Sequence, residues 1–189
     1  FEDDVLEADL DEILTTEGAP WKCVANLPYN VATEAFFRLA ACHERLGPMA
    51  LMFQKEVAER FVAEAGDDAF SVLSLMGRMY FDAEIAFTLP GGAFVPPPRV
   101  SSAVVHFEPL GGPRIEASDT REMFERIVRA AFQKRRKTLP NAMSGVGFSK
   151  DVLKSVISDS GLDVRVRPER VSFEAFTEIA RCLVDVTDG

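Results

Sequence analysis

The feature that most constrains the fold is an alternation of short apolar runs with amphipathic segments in the first part of the chain. A run at 22–25 (KCVA) precedes apolar residues at helical spacing from 32 to 40. A second run at 48–53 (PMALMF) precedes a helical segment at 54–65, which we expect to end at Gly66. Such alternation predicts an α/β fold with a mostly parallel sheet covered by helices.

Two further strands are predicted at 79–89 and 102–109, on either side of a proline-rich loop. Beyond the segment 109–113 (PLGGP) every periodic pattern is helical, with Ser149 as a helix cap and Gly161 as a helix end. The three apolar stripes are Phe124, Ile127, Val128 and Ala131; Leu153, Val156 and Ile157; and Phe173, Phe176, Ile179, Ala180 and Leu183. We therefore predict an α/β domain over residues 1–110 and a small all-α domain over residues 111–189.

Composition excludes several classes of protein. No apolar run approaches the roughly 20 residues of a membrane-spanning helix, and the acidic start of the chain is unlike a signal peptide. The three cysteines lie far apart and match neither a zinc site nor a disulfide framework. We expect a reduced intracellular protein with no metal and no membrane partner.

The distribution of charge is more informative than the net charge of −9. Residues 1–112 hold 7 Lys/Arg against 18 Asp/Glu, whereas residues 113–189 hold 14 against 12. The basic residues cluster at 134–137 (KRRK) and 165–170 (RVRPER). An acidic chain with local basic clusters is compatible with RNA binding.

The segment Asn26–Tyr29 (NLPY) joins the first predicted strand to its helix. Ligands of open α/β sheets bind at the carboxyl ends of strands, where this segment lies. Pro28 favours an extended Leu27 and leaves its own carbonyl free of helical hydrogen bonds, beside the Asn26 side-chain oxygen. Two neighbouring acceptors suit the exocyclic amine of adenine, and Tyr29 offers a face for stacking. The alternative is that Asn26 caps the helix while Pro28 and Tyr29 simply pack; the spacing alone leaves both open.

Four ordered motifs carry a resemblance to a known family: NLPYNVATEAFF, LMFQKEVAERF, GGAFVPPPRVSSAVVHFEP and FQKRRKTLPNAM. They resemble the ribosomal-RNA adenine N6-dimethyltransferases, and most closely the kasugamycin-sensitivity branch that acts on the small subunit. The resemblance runs from about Asp4 to the final helix. It implies a Rossmann-like class I methyltransferase sheet followed by a helical RNA-binding domain.

The resemblance also implies a reaction. Asn26 and the Pro28 carbonyl would accept hydrogen bonds from the adenine amine, which localises its lone pair for attack on the methyl group of S-adenosylmethionine. The target base would leave its stack, with Tyr29 on one face and Phe94 near the other. The alternative for the prolines at 96–98 is a rigid loop that merely connects strands.

Further residues are assigned by the same resemblance. Asp4, with the backbone of Val5, would bind the adenine of the cofactor, and Asn26 would contact the cofactor as well; the alternative is that Asp4 is a solvated acid in a run that includes Asp3. The implied RNA contacts are to phosphates of small-subunit rRNA, in the cytoplasm during ribosome maturation. The implied contact residues are Lys134, Arg135, Arg136 and Lys137, with Arg165, Arg167 and Arg170 as secondary candidates.

One departure from the family pattern concerns the cofactor. The glycine-rich loop after the family's first strand and the acidic residue after its second have no counterpart here, so we expect an N-terminally shortened sheet and weakened cofactor binding. A large-subunit rRNA adenine methyltransferase is one alternative, although that type usually has isoleucine in place of Leu27. A non-catalytic rRNA-binding assembly factor is the other.

Overall fold

The computed structural model of the chain describes residues 3–134 and 136–188, and these form two compact units. The first unit comprises residues 1–62 and 77–114, and the second comprises residues 63–76 and 115–189. The units change at 114/115, four residues beyond the boundary drawn from the sequence. The sequence pattern did not indicate that residues 63–76 belong with the helical unit.

The first unit contains a four-stranded sheet with helices. Its strands are β1 (Trp21–Asn26), β2 (Leu46–Gln54), β3 (Phe81–Leu89) and β4 (Ser102–Pro109). Its helices are α1 (Leu10–Ile13), α2 (Ala32–Ala41) and α3 (Lys55–Val62), and α4 (Val72–Arg78) begins in the second unit and ends in the first. All four predicted strands are confirmed, while the helix expected to reach Gly66 ends at Val62.

The sheet has the order β1-β2-β4-β3, and only the β1–β2 pair is parallel. The expectation of a mostly parallel sheet is therefore wrong. The sheet differs because β3 and β4 are connected by a loop at 90–101 that contains no α-helix, and such a connection places the two strands antiparallel. β4 then lies between β2 and β3, and its first residue is at the same end of the sheet as the carboxyl ends of β1 and β2.

An aromatic cluster forms the core of the first unit. Phe107 of β4 packs against Phe36 of α2 at a ring-centroid distance of 4.9 Å and against Phe61 of α3 at 5.1 Å. Phe36 and Phe61 are themselves 4.6 Å apart. These rings are at most 1% exposed, so α2 and α3 cover one face of the sheet and fix its position.

The second unit is helical, as predicted. It contains α5 (Ser118–Gln133), α6 (Leu139–Ala142), α7 (Lys150–Asp159) and α8 (Phe173–Asp188). The three apolar stripes predicted from the sequence are buried. The Ser149 hydroxyl accepts a hydrogen bond from the Val152 N–H at the start of α7, and Gly161 beyond its end has a φ of +78°.

The segment 63–76 packs into this helical unit through one aromatic residue. Phe70 is 1% exposed and lies 5.9 Å from Phe132, which is also 6.3 Å from Phe176 of α8. Across residues 3–134 and 136–188, no helix has the length and apolar character needed to span a membrane.

Candidate functional site

A cleft of about 350 Å³ opens at the carboxyl end of β1. One wall is the segment that follows β1, and the other is the proline-rich loop that precedes β4. The lining residues are Asn26, Leu27, Pro28, Tyr29, Phe94, Val95, Pro96 and Pro98. The fold thus brings together the four residues predicted to act on adenine, Asn26, Pro28, Tyr29 and Phe94, from segments more than 60 residues apart in the chain.

Asn26 is the last residue of β1, and its backbone is aligned with Met52 of β2. Its side chain is exposed, whereas that of Leu27 is buried at 7% exposure and anchors the turn. The N-cap of α2 is Val31, without a side-chain capping bond, so the alternative that Asn26 caps this helix is wrong. Within the described chain the Asn26 amide makes no side-chain hydrogen bond, which leaves its oxygen able to accept one.

The Pro28 carbonyl takes no part in α2, as expected, but it has a partner in the preceding turn. It accepts a hydrogen bond of 3.1 Å from the Val31 N–H, in the turn that leads into α2. Because a carbonyl oxygen has two lone pairs, this bond leaves one acceptor position. Pro28 can still serve as a second acceptor beside Asn26, with its direction fixed by the turn.

Tyr29 has a partner that the sequence did not indicate. Its hydroxyl lies 2.6 Å from the hydroxyl of Ser102, the first residue of β4. Tyr29 is half-buried, and Ser102 is fully buried. The pair is separated by 73 residues and carries no local signature, so only the folded sheet reveals it.

In the loop at 90–101, which carries Phe94, the two ends lie close together. A side chain on Gly91 would place its Cβ 2.4 Å from the Pro98 carbonyl oxygen, so glycine permits the two ends of the loop to meet. The Phe94 N–H donates to the Gly91 carbonyl over 3.2 Å at the end of a short 3₁₀ turn. The loop is therefore both a constrained connection between strands and a wall of the cleft, with Phe94 half-buried and Val95 fully exposed.

Asp4 and Val5 are not among the residues that line this cleft. One carboxylate oxygen of Asp4 accepts the Leu6 N–H over 2.8 Å, and the Val5 carbonyl accepts from the Arg38 guanidinium over 2.7 Å. The Asp3 carboxylate accepts the Asp4 N–H over 2.9 Å, so Asp3 and Asp4 bind different backbone N–H groups. The Asp4 side chain is exposed, and its second oxygen makes no hydrogen bond within the described residues, so it can accept one from an adenine amine.

No residue lining the cleft carries a carboxylate or an imidazole. The half-buried Cys23 lies on β1, where desolvation raises the pKa of its thiol and keeps it protonated at neutral pH. In residues 3–134 and 136–188, no group of three or more metal-ligating side chains occurs. The chemistry available in the cleft is therefore hydrogen bonding and stacking.

The two basic segments of the second unit are joined by their backbones. The Leu139 N–H, just after the first segment, donates to the carbonyl of Val166 in the second over 2.7 Å. Lys134 donates to the Ser144 hydroxyl over 3.2 Å. Arg135 lies outside the described residues.

Most of the cations that the structure describes in these segments form no ion pair. Arg165 pairs with Asp163 at 3.1 Å; their hydrogen bond raises the pKa of Arg165 and lowers that of Asp163. The remaining side chains are exposed, and none forms an ion pair within the described residues. They are Arg136, Lys137, Arg167 and Arg170. We refer to these four, together with Lys134 and Arg165, as the basic surface.

Comparison with known proteins gives a consistent result. The family model described as ribosomal RNA adenine dimethylase matches residues 1–185. Proteins named ribosomal RNA small subunit methyltransferase A are similar to the chain: that of Syntrophotalea carbinolica is 39% identical over 95% of the chain and 67% of its own length. That of Geobacter sulfurreducens is 38% identical, over 97% and 67%. The chain thus spans about two thirds of the length of these relatives.

Two solved structures share the fold. A dimethyladenosine transferase from Plasmodium falciparum superposes with a TM-score of 0.75 at 22% identity, over 95% of this chain and 70% of that one. The 23S rRNA methyltransferase ErmE superposes with a TM-score of 0.66 at 20% identity, over 95% and 69%. These likenesses confirm the predicted class I methyltransferase architecture.

Proposed function

Because this chain belongs to the ribosomal RNA adenine dimethylase family of methyltransferase enzymes, we propose that it carries the N6-dimethylation site for adjacent adenosines near the 3′ end of small-subunit rRNA. The observation that carries this proposal is the cleft that Asn26–Tyr29 and Phe94 line together. Its volume of about 350 Å³ accommodates a flat base entering from one side.

The chemical task is to make a weak nucleophile attack. The lone pair of the adenine amine is delocalised into its ring. The Asn26 side-chain oxygen and the remaining lone pair of the Pro28 carbonyl accept the two N–H donors of this amine, which favours a pyramidal nitrogen with a localised lone pair. The turn bond from Val31 holds the Pro28 carbonyl in place before the base arrives, so little reorganisation is needed on binding.

When bound, S-adenosylmethionine would supply a methyl group whose C–S electron pair returns to the sulfonium sulfur, and the amine nitrogen that takes up the methyl group would release one proton to water. Asp4 would bind the adenine of this cofactor through its free carboxylate oxygen beside the Val5 backbone, and Asn26 would contact it from the cleft. The chain itself contributes positioning. Tyr29 stacks on one face of the extruded base and Phe94 borders the other.

The basic surface would hold the rRNA by its phosphates. Four exposed cations without internal ion pairs can exchange bound counterions for phosphate contacts. The Leu139–Val166 hydrogen bond supports this role because it brings the two basic segments next to each other. We place the reaction in the cytoplasm, with the maturing small subunit as substrate.

Two alternatives are less well supported. A large-subunit target has only the fold likeness to ErmE in its favour, whereas the most similar relatives named above act on the small subunit. A non-catalytic assembly factor has no use for two acceptors and two aromatic rings around a base-sized cleft.

The proposal is tested by incubating the chain with methyl-labelled S-adenosylmethionine and small subunits that lack the modification. The proposal is supported if the label enters rRNA and is recovered as N6-methylated adenosine after the rRNA is digested to nucleosides. Retained binding to subunits without label transfer would favour the assembly-factor alternative. Large subunits serve as the control, and label that enters large-subunit rRNA would favour the alternative of a large-subunit methyltransferase.

A further inference from the structure

Ser102 is held rigidly at the point where β4 begins. Its backbone is aligned with Gln54 of β2 on one side and Leu89 of β3 on the other. The Lys55 N–H donates to the carbonyl of the preceding residue, Ser101, over 2.9 Å. A residue in a strand that is paired on both sides cannot shift without breaking these pairs.

The Ser102 hydroxyl contacts Tyr29, which lines the cleft, although Ser102 itself does not line it. It is fully buried and lies 2.6 Å from the Tyr29 hydroxyl. The tyrosine hydroxyl lies on the axis of the second side-chain torsion, so a hydrogen bond to it restricts the first torsion and with it the position of the ring. The loop that carries Phe94 ends at Ser101, so the same strand start anchors the second wall of the cleft.

We propose that Ser102 is a positioning residue, which fixes the position of the Tyr29 ring relative to Phe94 so that an adenine fits between them in the orientation that methyl transfer requires. The expected effect on kcat rests on the proposed function, whereas the expected effect on the Tyr29 ring does not. Because Ser102 is fully buried, it cannot contact rRNA itself. Its loss should therefore lower turnover and leave rRNA affinity unchanged.

Two substitutions remove the same hydrogen bond from opposite ends. Ser102→Ala and Tyr29→Phe are each expected to lower kcat about fivefold to tenfold, with KM for small subunits unchanged. The double variant should lose no more than either single one, because the bond can be removed only once. Ser102→Thr, which keeps a hydroxyl, should retain kcat within about twofold. Ser74→Ala, at a fully buried serine of the second unit, is the matched control and should leave kcat unchanged.

A second readout does not depend on activity. The chain has only two tyrosines, so ¹³C-tyrosine labelling gives separate ring signals for Tyr29 and Tyr80. Ser102→Ala is expected to shift the Tyr29 signal, because the hydroxyl loses its hydrogen-bond partner, while the Tyr80 signal stays unchanged. If Ser102→Ala does not fold, Tyr29→Phe carries the kinetic test alone.

The outcomes separate the two proposals. Wild-type kcat in both Ser102→Ala and Tyr29→Phe, or losses that add in the double variant, would overturn the positioning role. If the wild-type chain transfers no methyl group, the proposed function fails, and the Tyr29 signal decides the inference: a shift in Ser102→Ala supports it and an unchanged signal overturns it.

Discussion

The Leu139 N–H donates to the Val166 carbonyl over 2.7 Å, and this bond joins two basic segments that are almost 30 residues apart in the chain. Leu139 is also fully buried, so the bond is anchored in the helical core. The cations on either side are therefore displayed from a fixed backbone. A phosphate-binding surface benefits from such an arrangement because less ordering is needed when RNA binds.

Neutralising the basic surface should weaken rRNA binding in proportion to the phosphate contacts removed. We expect Lys137→Gln and Arg167→Gln each to lower the slope of log K against log salt concentration by about 0.7–0.9. The measurement is a salt titration of binding to small-subunit rRNA. Lys154→Gln is the matched control, since Lys154 is exposed on α7 but paired with Asp151 at 3.5 Å. An equal effect of all three substitutions would contradict a localised surface.

Asp163→Asn should have the opposite effect. Asp163 holds Arg165 through hydrogen bonds of 3.1 and 3.3 Å, and the lowered pKa of this carboxyl keeps it ionised at neutral pH. Without the carboxylate, Arg165 is released for phosphate contact. Tighter rRNA binding with a steeper salt dependence is expected in the same titration, and weaker binding would show that the ion pair itself orients Arg165 for RNA.

Stability of the first unit should depend strongly on Phe107. This ring is fully buried against Phe36 and Phe61, so Phe107→Ala leaves a cavity and should cost about 3–5 kcal/mol of unfolding free energy. Phe87→Ala is the control, because Phe87 is 54% exposed and should cost less than about 1 kcal/mol. Denaturant unfolding measures both. Similar costs for the two would contradict the assigned core.

The burial of Cys23 can be tested by the pH dependence of its reaction with an alkylating agent. Burial raises the pKa of this thiol above that of a free cysteine, about 8.5, so little thiolate is present at pH 8. Alkylation of Cys23 should be slow at pH 8 and should continue to accelerate as the pH is raised through 9. Mass spectrometry of the Cys23 peptide at several pH values checks this. A rate that levels off below pH 8.5 would contradict the burial of Cys23.

The elements were predictable from the sequence because their signals are local. Periodicity located β2 and the stripe of α8, and the Asn26–Tyr29 motif together with the proline-rich loop indicated the residues of the cleft. Sheet topology was not predictable in this way, because the apolar run of β4 reads alike whether its neighbour is parallel or antiparallel. The loop at 90–101, without a helix, was the available sign of the reversal.

Long-range hydrogen bonds set the details that the sequence could not provide. The Tyr29–Ser102 pair spans 73 residues, and a serine at the start of a strand has no distinguishing pattern. The Pro28 carbonyl has a local partner instead: it lies outside α2, as expected, and accepts the Val31 N–H in the following turn. The Ser102 partner of Tyr29 is determined by where distant parts of the sheet meet, which local propensity does not encode.

The most direct test of the central claim is nucleoside analysis of small-subunit rRNA after reaction with Asn26→Ala and Asn30→Ala. Asn30 is exposed and lies four residues from Asn26 but does not line the cleft. The wild-type chain and Asn30→Ala should yield N6,N6-dimethyladenosine, whereas Asn26→Ala should lower its rate of formation on the order of a hundredfold. Dimethyladenosine formed by Asn26→Ala at the wild-type rate would contradict the assignment of this cleft as the site of methylation.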